Sequence, residues 1–85
     1  MIFGEATYID VILPLPLKQK FTYQVGDEYI SNIEIGCRVA VPFGRSKVYA
    51  GLVDTIHKIK PDYEVKYIID VLDERPIASI KHLDL

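Results

Sequence analysis

Between Lys20 and Val25 the chain alternates strictly: Phe21, Tyr23 and Val25 face one way on an extended backbone, Thr22 and Gln24 the other. A period of two is the signature of a strand with one face toward a core. The other apolar segments are equally short and are cut by turn residues. Tyr8 to Leu13 reads as a strand with Ile9, Val11 and Leu13 on one face and Tyr8 and Ile12 on the other, where Asp10 interrupts the apolar row. The Leu-Pro-Leu-Pro run at 13–16 stops it, because Pro14 and Pro16 fix φ and hold Leu13 and Leu15 extended, while both leucines stay free to pack inward.

Downstream the same grammar continues. Gly26 to Ile35 is polar and acidic and reads as a loop folded back on the core by Tyr29, Ile30, Ile33 and Ile35, with Gly36 closing it. Cys37 to Val41 is a third strand, Pro42-Phe43-Gly44 a turn, and Lys47 to His57 a fourth strand that pairs with the third as a hairpin. Gly51 inside the fourth strand predicts a bulge or a sharp bend. Val65 to Leu72, apolar on both faces apart from Lys66 and Asp70, predicts a fifth strand buried at the centre of the sheet. Ser79 is a candidate cap for a helix beginning in the last residues. Short strands, polar turns and no helix in the body define an all-β fold, a small barrel or sandwich of about five to six mostly antiparallel strands.

Size and charge narrow the functional classes. With 85 residues the chain builds one core, and 49% hydrophobic with 26% charged residues is a globular composition. The single Cys37 cannot form an internal disulfide, which fits a reducing, cytoplasmic compartment. No run of about 18 apolar residues is present to span a bilayer. The net charge of −2 argues against long nonspecific tracking on DNA phosphates, yet eight of the ten basic residues lie between Lys18 and Lys66, which leaves room for a local basic face.

Catalytic patterns are missing. Gly44-Arg45-Ser46-Lys47 resembles a phosphate loop only superficially, since it lacks the glycine before the lysine and the helix behind it. Ser31, Ser46 and Ser79 sit in no nucleophile elbow, and His57 and His82, read as surface residues, have no triad or metal spacing. The adjacent acids Asp27 and Glu28, and Asp73 and Glu74, point apart and read as solvated charge. The expectation is therefore a binding domain without a cofactor or a metal site.

Four segments in order carry a family resemblance: Val-Ile-Leu-Pro-Leu-Pro-Leu at 11–17, Phe-Thr-Tyr at 21–23, Gly-Cys-Arg-Val-Ala-Val-Pro-Phe-Gly at 36–44 and Val-Leu-Asp at 71–73. Together they resemble the N-terminal domain of PriA-like primosomal replication-restart helicases. The resemblance implies recognition of the 3′ end of DNA at a stalled replication fork, leading to primosome assembly and replication restart. It also implies a domain plan: residues 1–7 as an N-terminal extension, 8–75 as the 3′-end-binding β domain, and 76–85 as the start of a linker toward a winged-helix domain. The ATP-dependent 3′-to-5′ helicase activity, with its ATP, magnesium and zinc, belongs to downstream domains. Those helicase domains and other primosome proteins are the further partners implied.

By local alignment the resemblance assigns the DNA 3′-end pocket to Phe21, Thr22, Gly44 and Lys66. The chemistry suits those roles, since an aromatic face stacks on any base and a glycine admits close approach to the backbone. Lysine can meet a phosphate or a base edge. Each residue also has a plain reading: Phe21 or Tyr23 as core filler, Gly44 as a turn glycine, Lys66 as a side chain turned out to solvent. Arg45 and Lys47 flank the turn and can touch phosphate or stay solvated. Many relatives carry Asp where this chain has Thr22; a threonine accepts a hydroxyl proton as a neutral group and more weakly. The alternative function is a protein-interaction β module that docks neighbouring helicase domains or a partner protein.

Overall fold

The structure, a computed structural model, describes residues 5–16 and 19–73. The sequence-based helix start at Ser79, the linker at 76–85, His82, Glu74 and Lys18 lie outside the described residues. One five-stranded antiparallel sheet is built from β1 (Thr7–Ile12), β2 (Lys20–Val25), β3 (Arg38–Phe43), β4 (Lys47–His57) and β5 (Asp70–Val71), in the spatial order β2-β1-β4-β3-β5. The sheet is not closed into a barrel. A short 3₁₀ helix, Asp27–Asn32, occupies the segment expected as a plain loop.

The alternation read from sequence sets the core. Ile9, Val11, Leu13, Tyr23, Val25, Val39, Val41 and Val53 are all buried on one face of the sheet, with Ile33, Cys37 and Ile68 completing the cluster. Leu15 packs against it, and the Leu15 N–H donates to the Leu13 carbonyl at 2.8 Å, a tight turn around Pro14. Burial pushes the Cys37 thiol up in pKa, so the residue behaves as a small hydrophobe. Of the loop residues expected to fold inward, Ile33 and Tyr29 do, whereas Ile30, on the outer side of the 3₁₀ helix, and Ile35, in the turn before β3, are exposed.

Three sequence expectations change. The irregularity in β4 lies at Asp54 rather than Gly51: Val11 pairs with Val53 but Asp10 with Thr55, leaving one extra residue between them. Gly51 instead permits close packing, for a Cβ there would lie 2.8 Å from Leu13 Cδ2 and 2.9 Å from the Ile12 carbonyl oxygen. The turn after β3 is Gly44 to Ser46, since Pro42 pairs with Val48 and Phe43 with Lys47 as part of the ladder.

The third correction concerns residues 65–72, which form an edge and not a central strand. Only Asp70 and Val71 are strand, and Tyr67, Ile69 and Leu72 are exposed while Ile68 is buried. The run links the two margins of the sheet through its backbone. The Gln24 N–H donates to the Lys66 carbonyl at 2.9 Å and the Ile68 N–H to the Gln24 carbonyl at 3.0 Å, a parallel bridge to β2. One residue later, the Ile69 N–H donates to the Ala40 carbonyl at 2.7 Å, on β3. Asp73 then anchors the end of this run: its carboxylate takes bonds of 3.1 and 2.8 Å from the Arg38 guanidinium and one of 2.9 Å from the Arg38 main-chain N–H. Asp73 is thus a structural acid rather than solvated charge, and Arg38 holds its carboxyl below the ordinary range.

Candidate functional site

The ladder geometry decides which backbone groups are left over. Because the Gln24 N–H and C=O point away from β1 toward residues 66–68, Thr22, two residues earlier, points its own N–H and C=O out of the same edge. There the bridge has ended, and no partner for them occurs among the described residues. On β3, the carbonyls of Arg38 and Ala40 face β5, so Pro42 turns its missing donor outward as well, where no ladder bond is lost. Its carbonyl is satisfied by the Tyr23 hydroxyl at 2.8 Å.

A shallow cleft of about 210 Å³ opens between these two edges, lined by Phe21, Thr22, Tyr23, Pro42, Phe43, Gly44, Glu64 and Lys66. Phe21, Thr22, Gly44 and Lys66, picked from three distant segments, therefore sit in one depression. Phe21 is half-buried, its ring meeting Phe43 edge to face at 5.2 Å and 81°, and Phe43 meets Tyr49 at 5.6 Å. Tyr23 is only 5% exposed and serves as scaffold; burial raises its pKa.

Gly44 holds φ at +67°, a left-handed conformation that costs other residues roughly 1 to 2 kcal/mol. A Cβ there would meet nothing within 4 Å, so the glycine leaves the lip of the cleft open. Lys66 reaches across it, donating from Nζ to the Gly44 carbonyl at 3.3 Å. That bond is long and exposed, so the ammonium retains donors for another molecule. Arg45 is exposed on the turn and Lys47 at the start of β4, both outside the cleft lining.

The Thr22 side chain takes the other face of β2. Its hydroxyl donates to Asp10 Oδ1 at 2.8 Å, and the same carboxylate accepts from Thr55 Oγ1 at 2.8 Å and His57 Nε2 at 3.0 Å. The Asp54 bulge makes this possible by rotating Thr55 and His57 onto the face of Asp10. The Ile59 N–H donates to His57 Nδ1 at 3.1 Å, which places the proton of the neutral ring on Nε2, facing Asp10. Partial burial works to raise the Asp10 pKa, but the bonds from His57, Thr22 and Thr55 outweigh it and hold the carboxyl below its usual value. His57, stacked on Tyr8 at 6.1 Å, is thus a half-buried network member and not an ordinary surface residue.

Asp10 left a trace in the sequence as the polar break in an apolar row, whereas Glu64 left none, because its place at the cleft depends on how the chain returns from β4. A larger cleft of about 490 Å³ lies beside the 3₁₀ helix, but Glu5, Asp27 and Glu28 line it. Three carboxylates repel a phosphate chain, so size does not mark the site here. Among the described residues no helix is long and apolar enough to cross a membrane.

An open antiparallel sheet with a small aromatic cleft at its margin, carrying Lys66 and Glu64, defines a binding module of the all-β class. The chain belongs to the PriA 3′ DNA-binding domain family: the profile of that domain matches residues 10–85. The family is a DNA 3′-end-binding one, and the domain is not catalytic.

Proposed function

We propose that the cleft of Phe21, Thr22, Gly44 and Lys66 receives the last nucleotide of a DNA strand ending in a free 3′ hydroxyl. The observation that carries this reading is their convergence, from β2, the β3–β4 turn and the return segment, in a chain of a 3′-end-binding family. Phe21 offers a ring edge or face to a base of any identity, and such stacking contributes roughly 1 to 3 kcal/mol. Gly44 admits the sugar to the backbone. The outward N–H and C=O of Thr22 supply one donor and one acceptor for the end of the strand, and Lys66 supplies the cation for a phosphate or a base edge. Glu64 beside Lys66 keeps the cleft close to neutral, which suits a strand end better than a run of phosphates.

The domain would bring its parent helicase, in the cytoplasm, to stalled forks for primosome assembly and replication restart. Fluorescence anisotropy with a short oligonucleotide tests the first step. The 3′-hydroxyl form binds more tightly than the 3′-phosphate form, with a shallow salt dependence because few phosphates are engaged. Equal affinity for the two ends removes the end-recognition reading.

A second reading has one observation in its favour: Ile12, Val48 and Leu52 are exposed on the face of the sheet opposite the core. That face can dock a neighbouring domain of the same protein or a partner protein. Backbone NMR shifts at 21, 44 and 66 that stay unmoved by a titrated dinucleotide would favour docking over end recognition.

A further inference from the structure

We infer that the site extends beyond the cleft to a second nucleotide on β4: Lys47 meets the phosphate that joins the last two nucleotides, and Tyr49 supports the base before the last. The strand then leaves the cleft beside the β3–β4 hairpin; the inference rests on the 3′-end reading above. The register places both side chains. Phe43 lines the cleft and stands directly across from Lys47, and Val41 stands across from Tyr49. Cross-strand partners share a face, so Lys47 and Tyr49 emerge on the same side of the sheet as Phe43. The Phe43 ring meets Phe21 at 5.2 Å and Tyr49 at 5.6 Å, so a row of three rings runs from the cleft onto β4.

Both side chains have capacity to spare. Tyr49 is half-buried, packed against the core, and its hydroxyl has no partner among the described residues; since none of their buried polar side-chain atoms lacks a partner, that hydroxyl opens to solvent. Lys47 is exposed and enters no ion pair among the described residues, whereas Lys20 is held by Asp54 and Arg38 by Asp73. Arg45, next to the cleft-lining Gly44, adds to the same positive end. The opposite way out is closed. Along the β2 edge the Gln24 backbone is bridged to residues 66 and 68, and the depression beyond is lined by Glu5, Asp27 and Glu28. Backbone and charge together turn a phosphate chain away from that end and toward Lys47.

The test is anisotropy with a 5′-labelled oligonucleotide ending in a 3′ hydroxyl, either unmodified, with a neutral methylphosphonate at the last linkage, or with an abasic unit before the last nucleotide. On the wild-type chain the neutral linkage is expected to weaken binding about three- to fivefold, as for the loss of an exposed ion pair. The abasic unit weakens it about fivefold, as for a lost base stack. Lys47→Met binds the unmodified strand as weakly as the wild type binds the neutral one, and neutralising the linkage then costs it nothing further. Its slope of log affinity against log salt is shallower by about 0.7, one phosphate's share on a single strand. Tyr49→Leu abolishes the abasic penalty, and Lys47, being exposed, reads the subsite even where that change unfolds the domain. A last linkage neutralised without loss, a penalty that persists in Lys47→Met, or an abasic unit without effect on the wild type overturns the inference. Equal wild-type affinity for 3′-hydroxyl and 3′-phosphate ends overturns the 3′-end reading itself, a distinct result.

Discussion

The two halves of β2 make an instructive contrast. At Tyr23 to Val25 the strand is sealed: the side chains of Tyr23 and Val25 are buried, and the outward backbone of Gln24 is bridged to residues 66 and 68. Two residues earlier, at Phe21 and Thr22, the same face and the same edge are open, with a half-buried ring and unbridged backbone groups lining a cleft. Composition does not separate them, since Phe and Tyr are both large aromatics. Where the return segment stops pairing separates them. The lesson is that a binding site can be the place where a sheet edge ceases to be covered.

The contrast is broken most forcefully from the sealed side. Tyr23→Ala removes a buried ring and the hydroxyl that satisfies the Pro42 carbonyl, and should cost about 3 to 5 kcal/mol of stability, read by chemical denaturation. For a small domain that is a large share of the total, and a loss below about 1 kcal/mol would mean that the sealed half is not sealed. On the open side, Phe21→Ala should act mainly on DNA, weakening a 3′-hydroxyl oligonucleotide by roughly 1 to 3 kcal/mol. If its stability loss equalled that of Tyr23→Ala, both residues would be core and the distinction would collapse.

Lys66→Ala sharpens the comparison further, because the one described bond of its side chain is a long, exposed one to Gly44. Binding should weaken several-fold while the thermal midpoint moves little, as for a surface change of about 0.5 kcal/mol or less. A large fall in midpoint would assign the lysine to the scaffold. The smallest effect concerns acid. Asp10 and Asp73 have folded pKa values below the ordinary 3.8, so their contribution is present above that pH and is lost as pH falls below it through the folded values. A thermal midpoint followed below pH 4 should drop less steeply in Asp10→Asn than in the wild type, and identical slopes would leave no linkage to Asp10.

Much of this was legible in the chain. The alternation of Phe21, Tyr23 and Val25 and of Ile9, Val11 and Leu13 named the core face, because side chains two apart on a strand share a side whatever surrounds them. The hairpin at Gly44 was legible for the same local reason, since a left-handed turn asks for glycine. The span 65–72 reads as a central strand and is an edge, because an apolar run looks alike whether neighbours flank it or it bridges two margins. Gly51 suggests a bulge where glycine in fact serves close packing, while the bulge at Asp54 has no glycine to announce it.

What the sequence determined by itself is therefore the period, the punctuation and the inventory: which residues face inward, where the chain turns, and which polar groups an apolar frame must accommodate. Tertiary structure alone decided the meetings. Gly44 and Lys66 are 22 positions apart and Asp10 and His57 are 47 apart, and no local rule measures such distances. They follow from strand order, from one extra residue in β4 and from where one edge bridge ends, which are properties of the whole sheet settled by burying a single core.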